Sequence, residues 1–159
     1  MTQTHLSEER IQSSIPSPDS HWKYPSPKMF YDAMIRKGHS PNRTEMDVIV
    51  DIHNSVNEQT WQYIRQWEDD PEIKLVRFMG RPEDPSPKSI MNRILGYKRP
   101  FDRHDWWVQR RNGTIARYVI DFYPANVGVH IDARPAIDSI YALKQRIFHY
   151  CNWPIAPEK

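Results

Sequence analysis

The sequence predicts an α+β fold, with N-terminal helices, a small antiparallel β-meander built on an Asn-Gly hairpin, and a C-terminal helix. Three observations carry that prediction. Apolar residues recur at helical spacing between Pro27 and Glu68, two β-prone runs meet at Asn112-Gly113, and helical spacing returns after Pro135. A chain of 159 residues with 38% hydrophobic content is long enough for one folded domain with a real core.

Residues 1–25 read as an extended leader, rich in Ser and Pro through Ser14-Ile15-Pro16-Ser17-Pro18. Proline fixes φ and removes a backbone donor, so the leader is expected to drape over a surface, anchored by Trp22 and Tyr24. Residues 26–159 are then expected to form one domain. Its first helix starts at Ser26-Pro27, with Ser as N-cap, and stops near Gly38. A second starts at Thr44, where Thr44 and Asp47 make a weak capping box. The pattern falters at Asn54-Ser55, and Ser55 with Glu58 makes a better box, so a third helix is expected over 56–68; one continuous helix over 45–68 is the rival. A strand over 74–79 and a short helix from Ser86-Pro87 follow. Trp106 to Arg111 and Thr114 to Ile120 then flank Asn112-Gly113, which predicts a hairpin with a type I′ turn. A strand over 127–133 and a helix over 136–150 complete the fold, with Ile137, Ile140, Tyr141, Ile147 and Phe148 on or near its buried side. There are no internal repeats.

Composition excludes several classes of function. A net charge of +2, with acidic and basic residues interspersed, is too weak for nucleic acid. The single Cys151 excludes an internal disulfide framework and a Cys-based zinc site. With a mean hydropathy of −0.80 and no long apolar run, no transmembrane helix is expected. The N-terminus lacks the apolar stretch of a secretory signal, and Glu8 and Glu9 fit a presequence poorly. Six Trp and eight Tyr point to a core or pocket walled by flat rings.

Three constellations can carry chemistry. His53-Asn54-Ser55-Val56-Asn57-Glu58-Gln59, closed by Trp61, gathers polar residues that cost helix propensity. An imidazole there can bind haem iron, with Glu58 as hydrogen-bond partner or proton acceptor; equally, His53 ends a helix and Glu58 caps the next. Pro100-Phe101-Asp102-Arg103-His104-Asp105-Trp106 sets a histidine among charges that either grip a carboxylate or knot a strand entrance. Arg110 and Arg117 fall on one face of the predicted hairpin, suited to carboxylates such as propionates or simply solvated. His53, His104, His130 and His149 lack zincin or deaminase spacing, and there is no phosphate loop or nucleophile elbow.

These residues carry a resemblance. Ser13-Ser14-Ile15-Pro16, Trp22-Lys23-Tyr24-Pro25-Ser26, Ile52-His53-Asn54, Asn57-Glu58-Gln59, Pro100 through Trp106, Arg117 through Tyr123 and Asp132 through Ser139 run collinearly. The chain resembles the mitochondrial cytochrome c and c1 haem lyases, or holocytochrome c synthases, from about residue 13 to 148. The resemblance implies a lyase of the intermembrane space, peripheral to the inner membrane. Its substrates are haem and the N-terminal helix and Cys-x-x-Cys-His motif of an apocytochrome c or c1. It implies His53 as axial ligand to the haem iron and Glu58 as a functionally important neighbour. Trp22, His104 and Arg110 match family residues tied to haem or activity, and Trp61 and Arg117, in matching stretches, join the expected haem contacts. The N-terminal Cys-Pro motifs of many members are missing, and the loops near Asp70 and Ala125 look trimmed. A haem carrier or sensor, and a chaperone for the apocytochrome helix, are the alternative readings.

Overall fold

A computed structural model describes residues 5–152. Its elements are β1 (Gln12–Pro16), β2 (His21–Lys23), α1 (Pro27–Arg36), α2 (Met46–Trp67), β3 (Lys74–Gly80), α3 (Pro87–Ile94), β4 (Asp102–Gln109), β5 (Ile115–Pro124), β6 (Val129–Pro135) and α4 (Ile140–Asn152). The fold is α+β. The chain divides into two compact units, residues 1–61 and 62–159, with α2 running from the first into the second.

In the first unit the leader is structured. Strands β1 and β2 pair antiparallel, and the Tyr24 amide donates to the Ile11 carbonyl at 2.9 Å. Leu6, Ser13, Ile15 and Tyr24 are buried, so this segment contributes to a core as well as covering one. Helix α1 begins where Ser26-Pro27 predicts, the Ser26 hydroxyl accepting from the Met29 amide. Leu6, Met46 and Val50 form a core cluster with Phe30, Tyr31, Met34 and Ile49 against it.

Helix α2 is the continuous alternative. Its entry is a 3-10 turn, Arg43–Glu45, capped by Asn42, so the Thr44 box is not used. Asn54-Ser55 does not interrupt it. Asn54 lies on the buried stripe with Met46, Val50, Trp61 and Ile64, and burial along that stripe outweighs a local loss of helix propensity. Glu58 therefore sits in mid-helix and caps nothing.

The second unit is a four-stranded antiparallel meander in the order β3-β4-β5-β6. The β4–β5 loop differs from the expected two-residue turn. Arg110 N donates to Thr114 O at 2.9 Å and Gly113 N to Arg110 O at 2.9 Å, enclosing three residues. Gly113 has φ 82° while Asn112 is not left-handed, which rules out type I′ and matches a three-residue hairpin loop. One extra loop residue shifts the register by one, placing Arg117 opposite Trp107. Arg117 thus lies on the opposite sheet face from Arg110, because a one-residue slip inverts every side chain.

The two faces of the sheet are unlike. One carries Trp106, Val108, Tyr118 and Ile120, all buried, and meets the end of α2 where the Trp67 indole donates to the Ala133 carbonyl at 2.9 Å. The other buries charge. Asp105, fully enclosed, accepts from Arg103 at 3.0 Å and Arg117 at 2.8 Å, with Arg81 at 3.3 Å. Enclosed Asp121 takes Arg134 at 2.5 Å and the Ser86 hydroxyl at 2.6 Å.

The end of the chain departs most from expectation. Strand β6 begins two residues late, after left-handed Gly128, and runs through Pro135. The Ala136 amide then bonds to Arg117 O at 2.7 Å, which delays the helix to Ile140 behind a Ser139 cap. Ile137, Ile140, Tyr141, Ile147 and Phe148 are 55–76% exposed rather than buried. The polar side of α4 holds it instead: Arg146 donates to Pro135 O at 2.7 Å and Gln145 to Trp67 O at 3.1 Å, while His149 stacks on Trp67 at 3.9 Å. These groups satisfy carbonyls that would otherwise lack donors.

Removing one partner of an enclosed ion pair leaves the other charge uncompensated. Asp121→Ala is expected to cost about 3–5 kcal/mol, read as a lower denaturation midpoint in urea at neutral pH.

Candidate functional site

The first unit places His53 on α2 with its ring half-buried. The Phe30 ring meets it edge-on, 5.0 Å between centroids. One turn on, the Asn57 amide nitrogen lies 3.3 Å from His53 Nδ1 and 3.5 Å from Nε2. A neighbouring amide limits how the ring turns, and partial exposure leaves an approach to it from outside.

Glu58 is held by the N-terminal hairpin. Its Oε1 accepts from the Ser13 hydroxyl at 2.6 Å, the Ser14 amide at 3.0 Å and the Tyr24 hydroxyl at 2.8 Å. Its Oε2 accepts from the Ser14 hydroxyl. Burial alone would raise this carboxyl, but the hydrogen bonds from Ser13, Ser14 and Tyr24 outweigh it and hold the group below the ordinary carboxylate range. Burial likewise pushes the Tyr24 phenol upward, so it stays a donor at neutral pH. Glu58 is therefore an ionised clasp, poorly suited to take up a proton. Trp22, on β2 between Ser13-Ser14 and Tyr24 in sequence, is half-buried. Trp61 is 3% exposed and packs as core.

The other predicted site residues lie in the second unit. His104 Nε2 is 3.1 Å from Asp102 Oδ2, with the Phe122 ring edge-on at 5.3 Å and its Nδ1 buried without a hydrogen-bond partner. Arg110 forks onto Glu68, Nε to Oε2 at 2.6 Å and NH2 to Oε1 at 2.8 Å, and covers the Tyr141 ring at 4.9 Å. Tyr118 also donates to Glu68 Oε1, at 2.5 Å. Arg117 forks onto Asp138 at 2.7 Å through both Nε and NH2 and reaches Asp105 with NH1. Both guanidinium groups are committed to protein carboxylates. The sequence reading missed those carboxylates, and missed Ser13, Ser14 and Tyr24 as partners of Glu58. The matching stretches contained all three, but no local pattern links residue 13 to a residue 45 positions away. Among the described residues no group of three His, Cys, Asp or Glu side chains converges to hold a metal ion.

The clasp makes two predictions. Glu58→Gln is expected to cost about 1.5–3 kcal/mol at neutral pH, the range for hydrogen bonds to a charged group. Because the folded carboxyl lies below its ordinary value, its stabilisation is complete above the ordinary carboxyl range and is lost as pH falls through the lowered value. The unfolding curves of wild type and variant should therefore converge in acid. Arg110→Lys keeps the charge but loses the fork and the stacking on Tyr141, so circular dichroism should record a lower melting temperature.

The sequence model described as "Cytochrome c/c1 heme lyase" matches residues 1–72 and 69–150. A fission yeast (Schizosaccharomyces pombe) protein called putative holocytochrome-c1 synthase is 40% identical over 168 residues, 94% of this chain and 77% of its own. Another from the same organism, called putative holocytochrome-c synthase, is 38% identical over 91% of this chain and 44% of its own. The human holocytochrome c-type synthase is 39% identical over 89% of this chain and 60% of its own. The chain thus spans between 44% and 77% of these relatives. No solved structure matches it significantly. With matches over nearly its whole length, the chain belongs to the cytochrome c/c1 heme lyase family.

Proposed function

We propose that the chain is a holocytochrome c synthase, joining haem to the cysteines of an apocytochrome c or c1 in the mitochondrial intermembrane space. The observation that carries this reading is the partly exposed His53 ring, flanked by Phe30 and Asn57, on the helix whose next turn is fixed by the Glu58 clasp. A half-exposed imidazole beside an aromatic ring fits a haem substrate, whose iron accepts such a ligand.

His53 is assigned as the axial ligand and Trp22 as a contact with the macrocycle. Glu58 is a positioning residue: it fixes the hairpin bearing Trp22 through Ser13, Ser14 and Tyr24. His104, paired with Asp102 in the second unit, is assigned no step in the reaction. Trp61, Arg110 and Arg117 support the scaffold, since the first is core and the arginines hold protein carboxylates. The apocytochrome's N-terminal helix and Cys-x-x-Cys-His motif are the partner, its histidine taking the opposite side of the iron. Each thiol then adds across a haem vinyl: a sulfur–carbon bond forms, the vinyl π bond is lost, and the thiol proton passes to the adjacent carbon. The chain needs no thiol of its own, and Cys151 is exposed. Holding the thiols against the vinyls supplies much of the catalysis through proximity. The protein works as a peripheral inner-membrane enzyme; among the described residues no helix is long and apolar enough to cross a membrane.

Co-expression with apocytochrome c tests this reading. A lyase leaves haem on the cytochrome after acid extraction, a carrier leaves it extractable, and a helix chaperone binds the apocytochrome without haem. His53→Ala is expected to abolish both the Soret band of the purified protein and cytochrome maturation. Full maturation by that variant would end the axial-ligand assignment.

A further inference from the structure

Helix α3 is amphipathic in the inverted sense. Its one buried residue is Ser89, and its capping Ser86 is enclosed, donating to Asp121 and accepting from Arg134 at 2.8 Å. The polar side holds the helix to the sheet. Its large apolar residues face outward: Ile90 is 47% exposed, Met91 60%, Ile94 80% and Leu95 67%. At about 100° per residue these four span a single arc of roughly 140°. Past Gly96, at φ 87°, Tyr97 and Phe101 are 67% and 59% exposed as well. A surface helix ordinarily does the opposite, with its apolar stripe turned to the core.

Charge identifies what covers this face. Residues 88–101 contain Lys88, Arg93, Lys98 and Arg99 and no Asp or Glu. Lys88 pairs with Asp132 at 2.8 Å, while Arg93, Lys98 and Arg99 are exposed and form no salt bridge among the described residues. Glu83, Asp84 and Asp102 line the same hollow as Arg93 and Arg99, but Asp84 pairs with Arg81 and Asp102 with His104. An apolar arc with ring-bearing residues at its end and three unpaired cations beside it has the chemistry of an element lying in an anionic lipid interface. The exposed apolar residues of α4 have a single exposed cation among them, Lys144, and are assigned no occupant.

We propose that residues 88–101 lay the protein on an anionic lipid surface, with Ile94 and Leu95 entering the acyl boundary and Arg93, Lys98 and Arg99 meeting headgroup phosphates. This specifies the peripheral attachment given under the proposed function and rests on that reading only for which membrane is used.

The test is co-sedimentation of the full chain with vesicles of phosphatidylcholine, alone or mixed with phosphatidylglycerol. The chain should pellet with mixed vesicles, much less with phosphatidylcholine alone, and dissociate as salt rises. Arg93→Gln/Lys98→Gln/Arg99→Gln should weaken binding about a hundredfold, from roughly fivefold per cation. Ile94→Ser/Leu95→Ser should lose binding at every salt concentration. Both variants alter exposed side chains, so unchanged thermal unfolding confirms that a loss belongs to the surface. Vesicle binding is scored apart from cytochrome maturation, so a chain that binds vesicles yet attaches no haem refutes the lyase reading and sustains this one. Wild-type binding by both variants, or preference for an acidic amphipathic peptide over vesicles, overturns the proposal.

Discussion

A carboxylate withdrawn from water must be given donors, and two such groups, Glu58 on α2 and Glu68 just past its end, organise their surroundings. Glu58 gathers Ser13, Ser14 and Tyr24 in the first unit, and Glu68 gathers Arg110 and Tyr118 in the second. The hairpin carrying Trp22 is held by the first of these carboxylates, and Arg110, where the β4–β5 loop begins, by the second. Removing either carboxylate would strand hydroxyl or guanidinium donors that face protein, which is costlier than losing an ordinary surface contact.

This arrangement assigns different work to neighbouring residues. A carboxyl held below its ordinary range by hydrogen bonds is a weak base, so proton transfer is a poor description of Glu58. What it supplies is fixed geometry beside His53. If the proposed thiol addition is the reaction, a fixed hairpin serves the alignment it needs. The sheet follows the same logic: three arginines around Asp105, and Arg134 with Asp121, spend their charge inside the protein.

Features encoded by adjacent residues were legible in the sequence. Ser26-Pro27 and Ser86-Pro87 start helices where expected, because cap and first turn are local chemistry. The antiparallel order β4-β5-β6 followed from alternation around a turn. Features set by distant partners were not legible. The clasp on Glu58 joins residues far apart in the chain. The face of Arg117 depended on whether the hairpin loop held two residues or three, which Asn-Gly alone does not decide. The outward apolar sides of α3 and α4 were hidden because periodicity reveals that a helix has an apolar side, but not which way the tertiary structure turns it. Of the candidate site, His53 and Glu58 were suggested by their polar cluster and by resemblance and Trp22 by resemblance, while the hydrogen-bond partners of Glu58 required coordinates.

The clasp also bears on the order of folding. Ser13 and Glu58 are 45 residues apart, so the carboxylate that completes the N-terminal hairpin is synthesised long after the strands it joins. Until residue 58 has been made, Ser13 can meet Tyr24 at 3.2 Å, but both, with Ser14, lack the carboxylate that joins them to α2. The two strands can therefore pair before their clasp exists, and the hairpin is fixed to α2 only once Glu58 has been made and that helix has formed.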